Sequence, residues 1–227
     1  MAIAIVDTIF AEVNNASAVT TASHTIASGN GAALMCAANG LSGTNHTFSI
    51  SGIGGTFTSR VTISDTAGQP GCAAGFSINN SPGTTGTTTV TENSGNNDGI
   101  SCALSELSGA ETTFSGATAT NNSASGSATV NITVVNANSF VFGSSSDWAA
   151  RGDYTAGTGE TLDNTHHVAG NYSGGQWHST STVGAGAYTS DAGGSATRQY
   201  NIVAMEMSPS VGGGGATVKP LAALGVG

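Results

Sequence analysis

The chain has 227 residues and a net charge of −9, and 7% of its residues are charged, against roughly 25% in an ordinary globular protein. Its cations are Arg60, Arg151, Arg198 and Lys219, too few and too scattered for the basic stripe that binds a nucleic-acid backbone or an anionic membrane surface. The 34 glycines, with abundant Ser, Thr and Asn and little Leu, Lys or Glu, point to an all-β protein of short strands and many turns.

The first segment, "MAIAIVDTIFAEVNNAS", is apolar in part but carries no basic start, and Asp7 and Glu12 interrupt it. A secretion signal is therefore not expected, and no run approaches the roughly 20 apolar residues of a membrane span. Synthesis and folding in a cytoplasm are the expectation. Three cysteines, Cys36, Cys72 and Cys102, fit it, because a secreted disulfide framework favours an even number. Their apolar neighbours place them in a core, and their spacing is unlike a metal-binding CxxC pair. Six N-x-S/T sequons read as consequences of the Asn/Ser/Thr-rich composition.

Residues 1–19 are expected to form an N-terminal strand or arm, and 20–210 one β-sandwich or jelly roll. Strands are predicted at "AIVDTIF", "SHTIAS", "AALMCAA", "HTFSISG", "TFTSRVTISD", "AGFSIN", "GTTTVTEN", "ISCALSEL", "ATVNITVV", "SFVFGS", "HHVAGNY", "QWHSTSTV" and "RQYNIVAMEMS". Turn-rich stretches such as "SGNG", "SPGTTG" and "NSGNNDG" separate them, and no long segment has a helical period. The stretch at 115–128, "SGATATNNSASGSA", reads as a long exposed loop between two halves of one sandwich. Residues 211–227 form a glycine linker and an apolar arm containing Val218, Pro220, Leu221 and Leu224. Such a composition is flexible on its own; ordered, it needs a surface to lie on, and a neighbouring subunit is the expected one for an assembly arm at Ala216 to Val226.

Chemistry-bearing residues concentrate in "ETLDNTHHVAGNYSGGQWHSTST" at 160–182. With Ser173–Gly175 as a turn, Tyr172 would face Trp177, Asn171 would face His178 and His167 would face Thr182. His178 and His167 would then stand about 13 Å apart at a strand rise of about 3.3 Å, too far for one metal ion. Adjacent His166 and His167 point to opposite faces of a strand. A metal shared around a three-fold axis needs one inward histidine per chain and escapes this arithmetic. No metal or other cofactor is expected within one chain. Tyr172 and Trp177 read first as a cross-strand aromatic pair, and second as a platform for a sugar ring.

Other motifs have plainer readings. "RGD" at 151–153 reads as a turn rather than an attachment tripeptide. No G-x-S-x-G elbow supports a serine nucleophile. "NSGNNDG" carries the single acid Asp98, a turn rather than a calcium loop. "GIGG" and "GGGG" lack the helix and lysine of a phosphate loop.

The order of several segments carries a resemblance. "ASHTIASGNGAALMCAANG" is followed by "FSISGIGGTFTSRVTI", "GTTGTTTVTENSG" and "CALSELSGA", and the domain closes on "YNIVAMEMSP". This order, over roughly residues 20 to 209, resembles a β-sandwich (jelly-roll-like) family found in tailed-phage virion structural proteins and related bacterial surface proteins. Gly31 stands where that pattern usually has an arginine. The resemblance implies a non-enzymatic virion structural protein made in the host cytoplasm, either a capsid decoration (cement) protein or a tail or fibre component. Its partners would be other copies of itself, a trimer included, and virion proteins such as the major capsid protein. A second expectation is a carbohydrate-binding adhesion module that presents Trp148, Tyr154, Tyr172, Trp177 and His178 to a host-surface glycan. An enzyme ranks third.

Overall fold

The computed structural model describes residues 2–40, 46–64, 71–79, 81–93, 97–123, 125–147, 152–168, 172–193 and 199–210. These form strands and no helix, so the fold is all-β as expected. One five-stranded antiparallel sheet has the order β1 (Ala4–Asn14), β10 (Asn97–Ser108), β4 (Gly31–Gly40), β7 (Cys72–Ile78), β6 (Thr58–Ile63). A second has the order β11 (Thr118–Ser123), β17 (Tyr200–Met207), β13 (Phe140–Asp147), β15 (Tyr172–Ser179), β14 (Glu160–Val168).

Each large sheet is covered on both faces. Between them Met35, Ala73 and Leu107 meet Phe142, Val203 and Met205. On its other face the first sheet packs Leu34, Cys36, Phe76 and Leu104 against Val19, Ile26 and Val90. Those come from the small sheets β2 (Ala18–Thr20), β9 (Thr88–Glu92), β5 (Phe48–Gly52) and β3 (His24–Ile26), β8 (Thr84–Gly86). The second sheet's far face packs Val141, Trp177 and Ile202 against Val130, Ile132 and Ala192, largely under β12 (Thr129–Val134) and β16 (Gly186–Asp191). The sandwich is thus built from stacked layers with two covered sheets in its interior.

This stacking explains the sequence pattern. A strand buried on both faces loses polar alternation and reads as a continuous run of apolar or small residues. β7 and β17 do so as "CAAGFSI" and "YNIVAMEM", every residue buried. β9 faces the core on one side only, and its Thr88, Val90 and Glu92 are buried while Thr89 and Thr91 are less so.

Two expectations are corrected. The stretch read as an exposed loop contains β11, which pairs with β17 from Thr118↔Met205 to Ser123↔Tyr200. Its "TATNNS" is polar because it is an edge strand and largely exposed. The glycines of "SGG" are not a turn: β14 and β15 pair from Glu160↔Ser179 to Val168↔Tyr172, which places Ser173, Gly174 and Gly175 inside β15. They are small because rings lie on them. A Cβ at Gly175 would come within 2.8 Å of the Tyr154 ring, and one at Gly174 would overlap the Tyr172 hydroxyl.

Candidate functional site

Three of the five residues proposed for a glycan platform are core residues. Tyr154, Tyr172 and Trp177 are 2%, 0% and 0% exposed. The Tyr172 hydroxyl lies 2.8 Å from the Ser101 hydroxyl and donates to the Ala37 carbonyl at 3.0 Å. Trp177 Nε1 donates to the Ser190 hydroxyl at 2.8 Å, and its ring occupies the space that Gly143 leaves by having no side chain. Tyr154 stacks on Trp177 with ring centroids 6.3 Å apart. Tyr172 and Trp177 are not a pair flanking a turn: Trp177 is matched to Gly143 on the neighbouring β13, and Tyr172 lies over Gly174 of its own strand and Gly99 of β10 in the other large sheet. Trp148, and the arm residues Val218, Pro220, Leu221 and Leu224, lie outside the described residues.

Of the five histidines in the chain, four each face a separate carboxylate. His24 Nδ1 lies 3.5 Å from Asp7, His46 Nδ1 2.9 Å from Glu92, His166 Nδ1 3.4 Å from Glu12, and His178 Nδ1 2.8 Å from Asp163. The register pairs His166 with Gly174 and His178 with Thr161. The two histidines therefore stand about 13 Å apart along the sheet, at about 3.3 Å per residue. Among the described residues no group of three His, Cys, Asp or Glu could hold a metal ion. His166 is buried and His167 exposed, as the opposite faces of a strand require.

Buried acids mark the end of β14 and the core of β17. Burial pushes the Glu160 carboxyl up to about 7, against the opposing effect of the nearby Tyr188 and Ser190 hydroxyls, of the Asp191 amide, which donates to it at 3.4 Å, and of nearby His178. Burial also raises Asp163, and its bond to His178 counters this. A perturbed acid beside a His–Asp pair can mark a catalytic site. Here the imidazole of His178 packs between Phe140 and Phe142, at ring-centroid distances of 6.3 and 5.8 Å. The open depression of about 580 Å³ lined by Ala2, Ile3, Asn138, Thr182, Pro209 and Ser210 includes none of these groups. Glu206 shows the structural use of a buried acid. Burial alone would raise its pKa, yet the Ala117, Val135 and Asn136 amides and the Ser139 hydroxyl donate to it and hold it below the usual value. One carboxylate thereby ties two connecting segments to β17.

The three cysteines share one face of the first sheet. Cys36 is the direct cross-strand neighbour of Cys102, and both pack with Cys72 in the same apolar cluster. Burial pushes the Cys102 thiol up to about 12 and raises Cys36 and Cys72 well above the ordinary thiol value. Thiols held protonated in an apolar core are poor nucleophiles.

What the structure leaves open is an edge. β1 is eleven residues long and forms one end of the first sheet, paired with β10 from Ala4↔Ser108 to Asn14↔Gly99. Ile9, Ala11 and Val13 turn toward the core. Val6 and Phe10 are 55% and 57% exposed, two of the three large exposed hydrophobics among the described residues. A bulge falls between Ile5 and Asp7, and the strand ends at Asn14, just before Asn15, whose φ is 51°. Of the devices that blunt an open edge, β1 has this bulge and its two acids but neither lysine nor proline. Asp7 and Glu12, both exposed, reach to opposite sides of the sheet, to His24 on β3 and His166 on β14. Those contacts brace the strand from both layers while its outer backbone stays unpaired by any described strand.

Sequence reasoning located β1 but not its position in the sheet, and it assigned no role to Glu92, Glu160 or Glu206. For Glu206 the signal was present: an acid inside the largely apolar "YNIVAMEM" needs a buried partner. Set against protein-family models, curated proteins and solved structures, the chain matches none of them.

Proposed function

We propose that the chain is a non-enzymatic structural subunit that acts through contacts with other copies of itself, and that its setting is a virion, as a capsid decoration protein or a tail or fibre component. The setting rests on the resemblance over residues 20 to 209. The mode of action rests on one observation, the long β1 edge with Val6 and Phe10 outward. Such an edge templates pairing with another chain, and soluble monomers normally protect it. Among the other described residues a passive role is suited, since four histidines each face a carboxylate of their own, the thiols are buried, and Tyr154, Tyr172 and Trp177 fill core space.

Sedimentation velocity on the full chain tests this reading. A species whose mass is a multiple of the 22.1 kDa chain, present at micromolar concentration, supports it. A monomer at every concentration up to the millimolar range contradicts it.

A further inference from the structure

We infer that the β1 edge is the acceptor for the C-terminal arm, residues 216–226, of a second copy of this chain, which adds to the sheet as an extra strand. This rests on the assembly reading above and names the surfaces that would carry it.

The acceptor side is described in full. An open edge offers a row of unpaired amides and carbonyls, and an added strand gains main-chain hydrogen bonds there. β1 adds the two exposed hydrophobics Val6 and Phe10 and the exposed acids Asp7 and Glu12. The donor side is legible in the sequence. In an extended chain Val218, Pro220, Ala222, Leu224 and Val226 fall on one face and Lys219 on the other. One face of the arm is thus wholly apolar, Leu221 and Ala223 share the other with Lys219, and this one lysine of the chain complements the acids of the edge. Pro220 is compatible, because an edge strand pairs along one side only and proline is tolerated where the N–H would face outward.

The exit point of the chain selects the copy. Pro209 bridges Ala110, and the Ser210 amide donates to the Gly109 carbonyl at 2.7 Å. Gly109, with φ 66°, packs so closely on the Ala2 carbonyl that it leaves no room for a Cβ. The arm therefore leaves the sheet at the end where β1 begins. The linker at 211–215 spans at most about 17 Å when extended, whereas β1 is about 36 Å long at a rise of about 3.3 Å per residue. A copy's own arm can enter only at the near end of its β1 and would have to lie parallel to it. A neighbour's arm can enter from the far end and pair antiparallel, the slightly more stable ladder.

Disulfide trapping between singly labelled full chains tests this. One population carries Phe10→Cys; the other carries Val218→Cys, Leu221→Cys or Leu224→Cys in turn, and the native cysteines are buried. Under mild oxidation at least one mixture is expected to give a covalent dimer, at several-fold higher yield than a Val135→Cys control population, Val135 being exposed elsewhere. In parallel, Phe10→Lys is expected to weaken self-association at least tenfold, with Val135→Lys leaving it unchanged. Oligomers that form without any such cross-link and tolerate Phe10→Lys would overturn this inference and leave the assembly reading standing. A doubly labelled chain, Phe10→Cys with Leu224→Cys, that cross-links only within itself while the singly labelled mixtures do not would also overturn it. A chain that never self-associates would remove both.

Discussion

At the scale of single residues, the fold is held by matched exceptions, each a small or charged side chain with one specific neighbour. Gly143 exists for the Trp177 ring, which a Cβ would overlap. Gly143→Ala should therefore cost about 1–3 kcal/mol, the usual penalty of overpacking, read as a lower midpoint in chemical denaturation. An unchanged midpoint would show that the ring can move aside. Glu206→Gln should cost about 2–4 kcal/mol, because an amide turns a donor toward N–H groups that need an acceptor; equilibrium unfolding measures it.

Glu160 acts with the opposite sign. Its folded-state pKa of about 7 lies above the ordinary 4.5, so the native state binds more protons than the unfolded chain between those values. Its contribution to stability is therefore most favourable below pH 4.5 and falls as pH rises to about 7. Glu160→Gln should stabilise the protein at pH 8 by about 1–3 kcal/mol, allowing for partial solvent access, and leave stability at pH 4 nearly unchanged. Equal effects at both pH values would contradict the assignment.

At the scale of elements, strands with one covered face were legible in the sequence and strands at special positions were not. β9 and β12 alternate and were found; β11 and β16 sit among Gly, Asn and Thr, which also spell loops, and nothing local separates the two. "SGG" at 173–175 fails for a related reason. The glycines answer to Tyr154 and Tyr172, and that information resides in the packing of other strands rather than in the hairpin itself. The aromatics Tyr172 and Trp177, read first as a cross-strand pair beside a turn and second as a sugar platform, were core for the same reason. β1 gives the test at this scale: Val6→Lys and Phe10→Lys change exposed side chains, so the thermal midpoint should stay within about 0.5 kcal/mol of stability while self-association weakens. A large loss of stability would mean that these side chains support the sheet rather than a partner.

At the scale of the whole molecule, the class was readable from composition, but the stacking of layers was not. It depends on which strands are buried twice, and runs such as "CAAGFSI" show burial without naming what lies on either side. Because both large sheets share the cluster around Met35, Phe142 and Met205, neither can lose its partner without exposing an apolar face. Calorimetry should therefore give one unfolding transition for the chain rather than two. The same construction concentrates what is unfinished at the β1 edge. Amide exchange along Ala4–Asn14, followed as a function of protein concentration, tests that claim most directly. In dilute monomer the amides on the outer side of β1 should exchange fast while those bonded to β10 are protected; in the assembled state the outer amides should slow at least tenfold, with β6 at the opposite end of the sheet unchanged. Assembly that leaves the outer β1 amides exchanging as fast as in the monomer would contradict it.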